Sequence, residues 1–194
     1  MTDPAIACAD ARVLGRSLRV WRTLKRIKQA AAAEMLGVSQ GVVSRWESGR
    51  LAPGAGHEQA LRRLMGARLD SAADFELARL VKASNRAVHL ICDLTHRLLA
   101  LSPRREAQLR VPASALVGTS LWGCASPEIV AAEARLPELG WFEPNAPAVE
   151  SYTGPKETAA LIIPPSRFRW VRFQLSDGAF ARLVETVDEA PARA

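Results

Sequence analysis

The 194-residue sequence predicts a helical N-terminal domain, a connecting helix and a C-terminal α+β domain built on five strands. Three observations predict it. Apolar residues recur at spacings of three and four through the first third, the period of an amphipathic helix. After residue 86 the texture changes to short apolar runs and two-residue alternation, the period of strands. The charge divides at the same place. Residues 1–66 hold 11 Lys/Arg against 5 Asp/Glu, and residues 67–194 hold 15 of each, so the formal excess of +6 lies in the first third. A basic block of that kind is the electrostatic footprint of a polyanion-binding module. A hydrophobic content of 48% is enough for a core and excludes wholesale disorder.

Taken in order, residues 1–9 are expected to be a loose tail. From Asp10 to Ile27, Val13, Leu14, Leu18, Trp21 and Leu24 make the apolar stripe of a first helix. Ala30–Leu36 forms a second, on the high helix propensity of alanine. Gly37 supplies a tight turn where a side chain is expected to clash, and Ser39 caps the third helix, Gln40–Ser48, with Gly49 just past its end. His57–Met65 is a fourth, with Leu61, Leu64 and Met65 inward. Residues 70–84 form a separate helix with an apolar stripe of Phe75, Ala78, Leu80 and Val81. "AVHLICDL" and "RLLALS" read as a hairpin, residues 103–140 as mostly helical, and "APAVESYTG", "RFRWVRFQLS" and "AFARLVETV" as three further strands. Asp177-Gly178 between the last two is a strong hairpin signal. In the second of these strands, alternation puts Phe168, Trp170 and Arg172 on one face and Arg167, Arg169, Val171 and Phe173 on the other.

A helix, a glycine turn and a capped second helix is the helix-turn-helix arrangement. Val38, Val43 and Trp46 then face the small core, and Gln40, Ser44 and Arg45 lie on the outer face, within reach of base edges in a major groove. Gln pairs with adenine and Arg with guanine through two hydrogen bonds each. Ser39 and the amides of the helix N-terminus suit phosphate. The stretch "LGVSQGVVSRWESGR", within residues 14–65, closely resembles the Cro/repressor-like (XRE) family of regulators. The resemblance implies a phosphate-binding role for Gln29 and base reading by Gln40, Gly41, Ser44 and Arg45. Lys28 and Arg50 join the implied DNA-binding set. It also implies a buried ion pair of Arg22 and Glu47 tying the first helix to the third. Lys28 stands where the family has a Ser or Thr cap, so that cap is lost and a phosphate-seeking charge gained. Gly41 brings no side chain to its base-reading position.

The strand-strand-helices-three-strand order of residues 86–188 resembles a PAS-type sensor fold, with "CDLTHRLLALS", "SALVGTSLW" and "FRWVRFQLSDGAFARLVET" as the local likenesses. The resemblance implies a five-stranded antiparallel sheet with helices against one face, and dimerisation through the helix that leads into it. Trp122, Cys124, Trp141 and Trp170 are the candidate pocket residues. His89, Cys92 and His96 have an H-x2-C-x3-H spacing, but on a strand His89 and Cys92 face opposite ways. A core cysteine, surface histidines and no metal site are expected, with Cys124 buried and inert.

The three cysteines, Cys8, Cys92 and Cys124, form no paired framework, which fits a reducing cytoplasm. No signal peptide or membrane span is recognisable, and no nucleophile elbow or supported carboxylate pair, so no enzyme is expected. The domains expected are 10–66 for DNA binding, 67–85 for the connecting helix and 86–190 for the PAS-like domain. The function expected is a homodimeric, sequence-specific transcription regulator on a palindromic duplex, sensing a small-molecule or protein signal without a resident cofactor. Two alternatives stand beside it: a DNA-binding adaptor that docks a protein partner without a ligand, and a haem- or flavin-type sensor.

Overall fold

The structure, a computed structural model, describes residues 4–189. It divides into two compact units, Met1–Gly66 and Ala67–Ala194. Among the described residues no helix is long and apolar enough to cross a membrane.

The first unit is four helices: α1 (Pro4–Leu24), α2 (Gln29–Leu36), α3 (Gln40–Glu47) and α4 (Ala55–Met65). α1 starts well before Asp10, because Pro4 suits a first helical position and the alternate alanines that follow have high helix propensity. Of the expected tail only residues 1–3 lie outside the described residues, as does the side chain of Cys8. Leu14, Leu18, Val43, Trp46, Leu61 and Met65 are buried between the helices. Gly37 has φ 66°, and the Val38 amide beyond it donates to the Ala33 carbonyl at 3.0 Å. A Cβ on Gly37 would meet nothing within 4 Å, so it is the left-handed backbone, and not a clash, that calls for glycine. The close approach lies elsewhere. A Cβ on Gly15 would sit 2.5 Å from the Trp46 carbonyl oxygen, so α1 crosses α3 where no side chain fits.

The second unit begins with α5 (Ala72–Ala83) and a hairpin of β1 (Val88–Cys92) and β2 (Leu98–Leu101). Three short helices follow, α6 (Pro103–Glu106), α7 (Ala113–Leu116) and α8 (Pro127–Arg135), with a 3-10 turn at Trp122–Cys124. Then come β3 (Val149–Thr153), β4 (Lys156–Glu157), β5 (Ile162–Ile163), β6 (Ser166–Gln174) and β7 (Phe180–Glu189). The main sheet is antiparallel with strand order β2-β1-β7-β6-β3, and β4 and β5 form a small separate hairpin. The β6–β7 turn carries Gly178 at φ 72°, and the Asp177 carboxylate accepts from the Ala179 amide at 2.8 Å.

Helices cover both faces of the sheet rather than one. Strand alternation sends Val88, Leu90, Cys92 and Ala181 to the side where α5 packs with Ala78 and Val81. The stripe of α5 therefore differs from the expected one, since Phe75 and Leu80 flank the contact and remain 59% and 56% exposed. The opposite face buries Phe168 and Trp170 with Ala132 and Leu136 of and after α8, and with Trp141.

α5 is fixed by its first turn. Ser71 and Asp74 make a capping box, and the Asp74 carboxylate also accepts from the Ser176 hydroxyl and, at 3.3 Å, from the Ser176 amide in the β6–β7 turn. These bonds, the Ser176 hydroxyl foremost, outweigh burial and lower the Asp74 pKa to about 2. A carboxyl depressed in the folded state stabilises above its unfolded pKa and loses that contribution as pH falls through the folded one. Acid unfolding of the parent should therefore steepen between roughly pH 4 and pH 2. Asp74→Asn should be less stable at pH 7 and lack that limb, as circular dichroism across pH would show; superimposable curves would mean that the contact contributes nothing.

Candidate functional site

The outer surface of the first unit is set by how α3 is held. Ser39 accepts from the Val42 amide at 3.4 Å as the N-cap, and Val43 and Trp46 anchor the inner face. Gln40, Gly41, Ser44 and Arg45 are all exposed, as their spacing requires once Val43 and Trp46 are inside. The Arg45 Nε donates to the Gly41 carbonyl at 3.2 Å, so the guanidinium lies along the exposed face of the helix. Gly41 has open space beyond its Cα and leaves the backbone accessible there. Lys28 occupies the N-cap position of α2 with no side-chain cap, and Lys28, Ser39 and Arg50 are exposed.

Behind this surface, Arg22 of α1 grips Glu47 of α3 through two parallel bonds, Nε to Oε1 at 2.8 Å and Nη2 to Oε2 at 3.0 Å. Arg22 Nη1 also donates to the Ile27 carbonyl at 3.0 Å, which fixes the α1–α2 turn. Gln29 is part of the same cluster, with its amide donating to Glu47 Oε2 at 2.8 Å. Sequence spacing placed Gln29 at the start of α2 but did not show that bond. Burial raises the Glu47 pKa, but the bonds from Arg22 and Gln29 and the charges of Arg22 and Arg19 outweigh it and hold the carboxyl below its usual range. The pair is thus ionised at neutral pH and joins all three helices of the motif.

The second unit holds a cavity of about 120 Å³ between the inner face of the sheet and the α6–α8 side. Trp122, Cys124 and Trp170 line it; Trp141 does not. Trp141 is fully buried behind the wall and donates from Nε1 to Asp93 at 3.1 Å, the partner its indole N–H needed. Cys124 is half-buried on the wall and not enclosed, and the Thr158 hydroxyl donates to its sulfur at 3.7 Å. The histidines are not on the surface either. His96, held at φ 54° in the β1–β2 turn, is buried against Trp122 with ring centres 4.6 Å apart. His89 lines the cavity, and its Nδ1 is closed off from solvent with no hydrogen-bond partner. Burial, and then the nearby Arg105 charge, push the His89 pKa well below its ordinary value, so the ring is neutral. Cys92 lies on the other face of the sheet, packed against α5.

One ionic cluster borders the cavity. Arg182 on β7 donates to Asp93 at 2.8 Å and to Glu133 of α8 at 2.5 Å, and Glu133 meets His96 Nε2 at 3.2 Å. Arg172 on β6 donates to Asp93 at 3.1 Å. Burial pushes the Glu133 pKa up, but Arg182 and His96 bring it well below the usual carboxylate range. Alternation put Arg172 on the inner face; nothing in local sequence named its partner.

Residues 12–70 match the family model described as Helix-turn-helix, and the first unit is a helix-turn-helix domain. No curated protein matches the chain in sequence. Among solved structures, the chain is similar to the PAS domain of an HTR-like protein from Haloarcula marismortui, at 14% identity and a TM-score of 0.42, covering 67% of this chain and 99% of that one. It is also similar to an RNA-binding light-oxygen-voltage receptor, at 11% identity and a TM-score of 0.42, over 94% of this chain and 60% of that one. A third is the DhaR(N)–DhaL complex of E. coli, at 14% identity and a TM-score of 0.39, over 84% of this chain and 47% of that one. The fold of the second unit rests on its own strand order.

Removing Glu47 leaves Arg22 half-buried without its carboxylate and takes the acceptor from Gln29. Glu47→Ala should destabilise the first unit by about 2–4 kcal/mol. Denaturant titration of the variant against the parent measures it, and a variant that unfolds with the parent would show that the pair adds no stability.

Proposed function

We propose that this protein is a sequence-specific DNA-binding transcription regulator of the cytoplasm, acting as a homodimer through its second unit, which senses a small-molecule signal. The observation that carries the reading is the row of Gln40, Gly41, Ser44 and Arg45 on the exposed face of a short, capped helix whose other face is locked by Val43 and Trp46. The concentration of net positive charge in residues 1–66 supports it. One recognition helix reads few base pairs, so a two-fold dimer on palindromic half-sites is the natural assembly. Phe75 and Leu80, exposed on α5, are the apolar side chains a second copy would cover. The cavity favours a small ligand over a purely protein-docking role for the second unit. At about 120 Å³ it is well below the roughly 300 Å³ at which pockets for drug-sized ligands begin, and haem and flavin do not fit it.

Arg45→Ala should cost ~1–3 kcal/mol on a duplex selected from a random pool and much less on an unrelated one, whereas Lys28→Ala should weaken both alike and flatten the salt dependence by about one ion. Affinities on the two duplexes at several salt concentrations test this, and equal losses for Arg45→Ala on both would overturn the base-reading assignment. The pair Phe75→Glu and Leu80→Glu should turn a dimer into a monomer in sedimentation and weaken binding to the selected duplex ~100-fold or more. A parent that sediments as a monomer would overturn the dimer.

A further inference from the structure

The cavity of the second unit has a composition that narrows what it can hold. This inference rests on the proposal that the second unit senses a small molecule, and goes on to the chemistry of that molecule. Most of the wall is hydrocarbon: Ile91, Leu98 and Leu101 from the hairpin, Val184 from β7, and Leu121 and Ile129 from the helical side. The ionised groups on the wall are engaged with the protein. Arg182 is held by Asp93 and Glu133, and Glu133 in turn meets His96. Arg105 donates to the Gln108 side chain at 2.6 Å and to the Ala87 carbonyl and Thr186 hydroxyl at 2.9 Å each. A charged ligand would be desolvated against groups that already have partners, which is unfavourable. His89 differs. Its Nδ1 is sealed from water with no partner, a state that costs free energy unless something in the cavity answers it. A hydroxyl both donates and accepts, so it answers Nδ1 in either tautomer. The volume of about 120 Å³ is close to the roughly 150 Å³ of an apolar cavity that holds a single benzene ring.

We infer that this cavity binds an uncharged, single-ring or short-chain compound bearing one hydroxyl, of the phenol or small-alcohol class, with the hydroxyl on His89 and the hydrocarbon on the walls of Ile91, Leu98 and Leu101. The ligand replaces the missing hydrogen bond and fills dry space, so both its parts contribute.

Phenol, toluene and benzoate are the probes, titrated into full-length protein by calorimetry and by the shift in thermal midpoint. Phenol should bind about 5-fold more tightly than toluene, the worth of roughly one neutral hydrogen bond, and benzoate more weakly than either. His89→Phe should erase the difference between phenol and toluene. Leu101→Trp, which fills the cavity, should abolish binding of both, with Ile91→Phe as a second filling variant should Leu101→Trp fail to fold. Toluene binding as well as phenol in the parent would overturn the role of His89. Benzoate binding most tightly would overturn the ligand class while leaving the sensor reading in place. Probes that bind no better to the parent than to the filled variants would overturn both, without touching the DNA-binding reading.

Discussion

The second unit is organised around a cation with no access to water. Arg182 is 1% exposed near the middle of the sheet, between the carboxylates of Asp93 and Glu133. Its guanidinium lies 4.6 Å from the ring centre of Trp170 and 5.1 Å from that of Trp141. Desolvating such a charge costs several kcal/mol, and only complete partnering in good geometry offsets it. The requirement spreads outward. Asp93 must stand at the end of β1, Glu133 on the inner face of α8, and Trp141 close enough to donate to Asp93. Arg172 must come in from β6 beside Phe180, whose ring centre is 3.5 Å from its guanidinium. Five segments separated by up to 89 positions are thus held to one arrangement by a single buried charge. Burial lowers the pKa of Arg182, but Glu133 and Asp93 overcome it and raise the guanidinium above its ordinary value, so the charge persists at any ordinary pH.

The first unit solves a similar problem at lower stakes. Arg22 and Glu47 also make a two-fold contact, but Arg22 keeps some exposure and the helices around the pair are short. Eight-residue helices such as α2 and α3 are too short to persist alone, so packing must hold them. The Gly15 crossing lets α1 lie directly on the backbone at Trp46, and the ion pair ties the same two helices 7 residues further along α1. Precision of the exposed α3 face comes from these two contacts with α1, neither of which touches the outer surface.

What was legible in the sequence followed from local rules. The 3.6 period gave the helices of the first unit, Gly37 and Ser39 marked the break, and the two-residue period with Asp177-Gly178 gave the last hairpin. What was not legible depended on distant partners. Arginine defaults to the surface, so an Arg182 at the centre of a sheet has no local signature; it needs Glu133 49 positions away. Trp141 looked like a pocket aromatic because aromatics line pockets, but its indole N–H was already committed to Asp93. Phe75 and Leu80 outrank Ala78 and Val81 in hydrophobic area, so they dominated the apparent stripe of α5. The small residues lie inside because the helix must sit close on β1 and β2. Gly37 was read correctly as a turn and for the wrong reason, since its neighbours are visible only in space.

The β1–β2 turn joins features that the sequence lists separately. Cys92 accepts through its sulfur from the Ala67 amide at 3.3 Å, and Arg97 Nη2 donates to the Ala67 carbonyl at 2.6 Å. Ala67 is the first residue of the second unit and is fully buried. Between these two clamps, Asp93 enters the Arg182 cluster and His96 closes the cavity against Trp122. Six consecutive residues therefore hold the incoming chain, the buried charge and one wall of the cavity. The left-handed φ of His96 is what turns the backbone tightly enough for all of them to be served at once. The chain that leaves the helix-turn-helix domain thus enters an anchor built into the sheet. Freedom of the segment from residue 67 onward is limited by the same turn that borders the cavity, so its route is set by packing and not by the length of a loose linker.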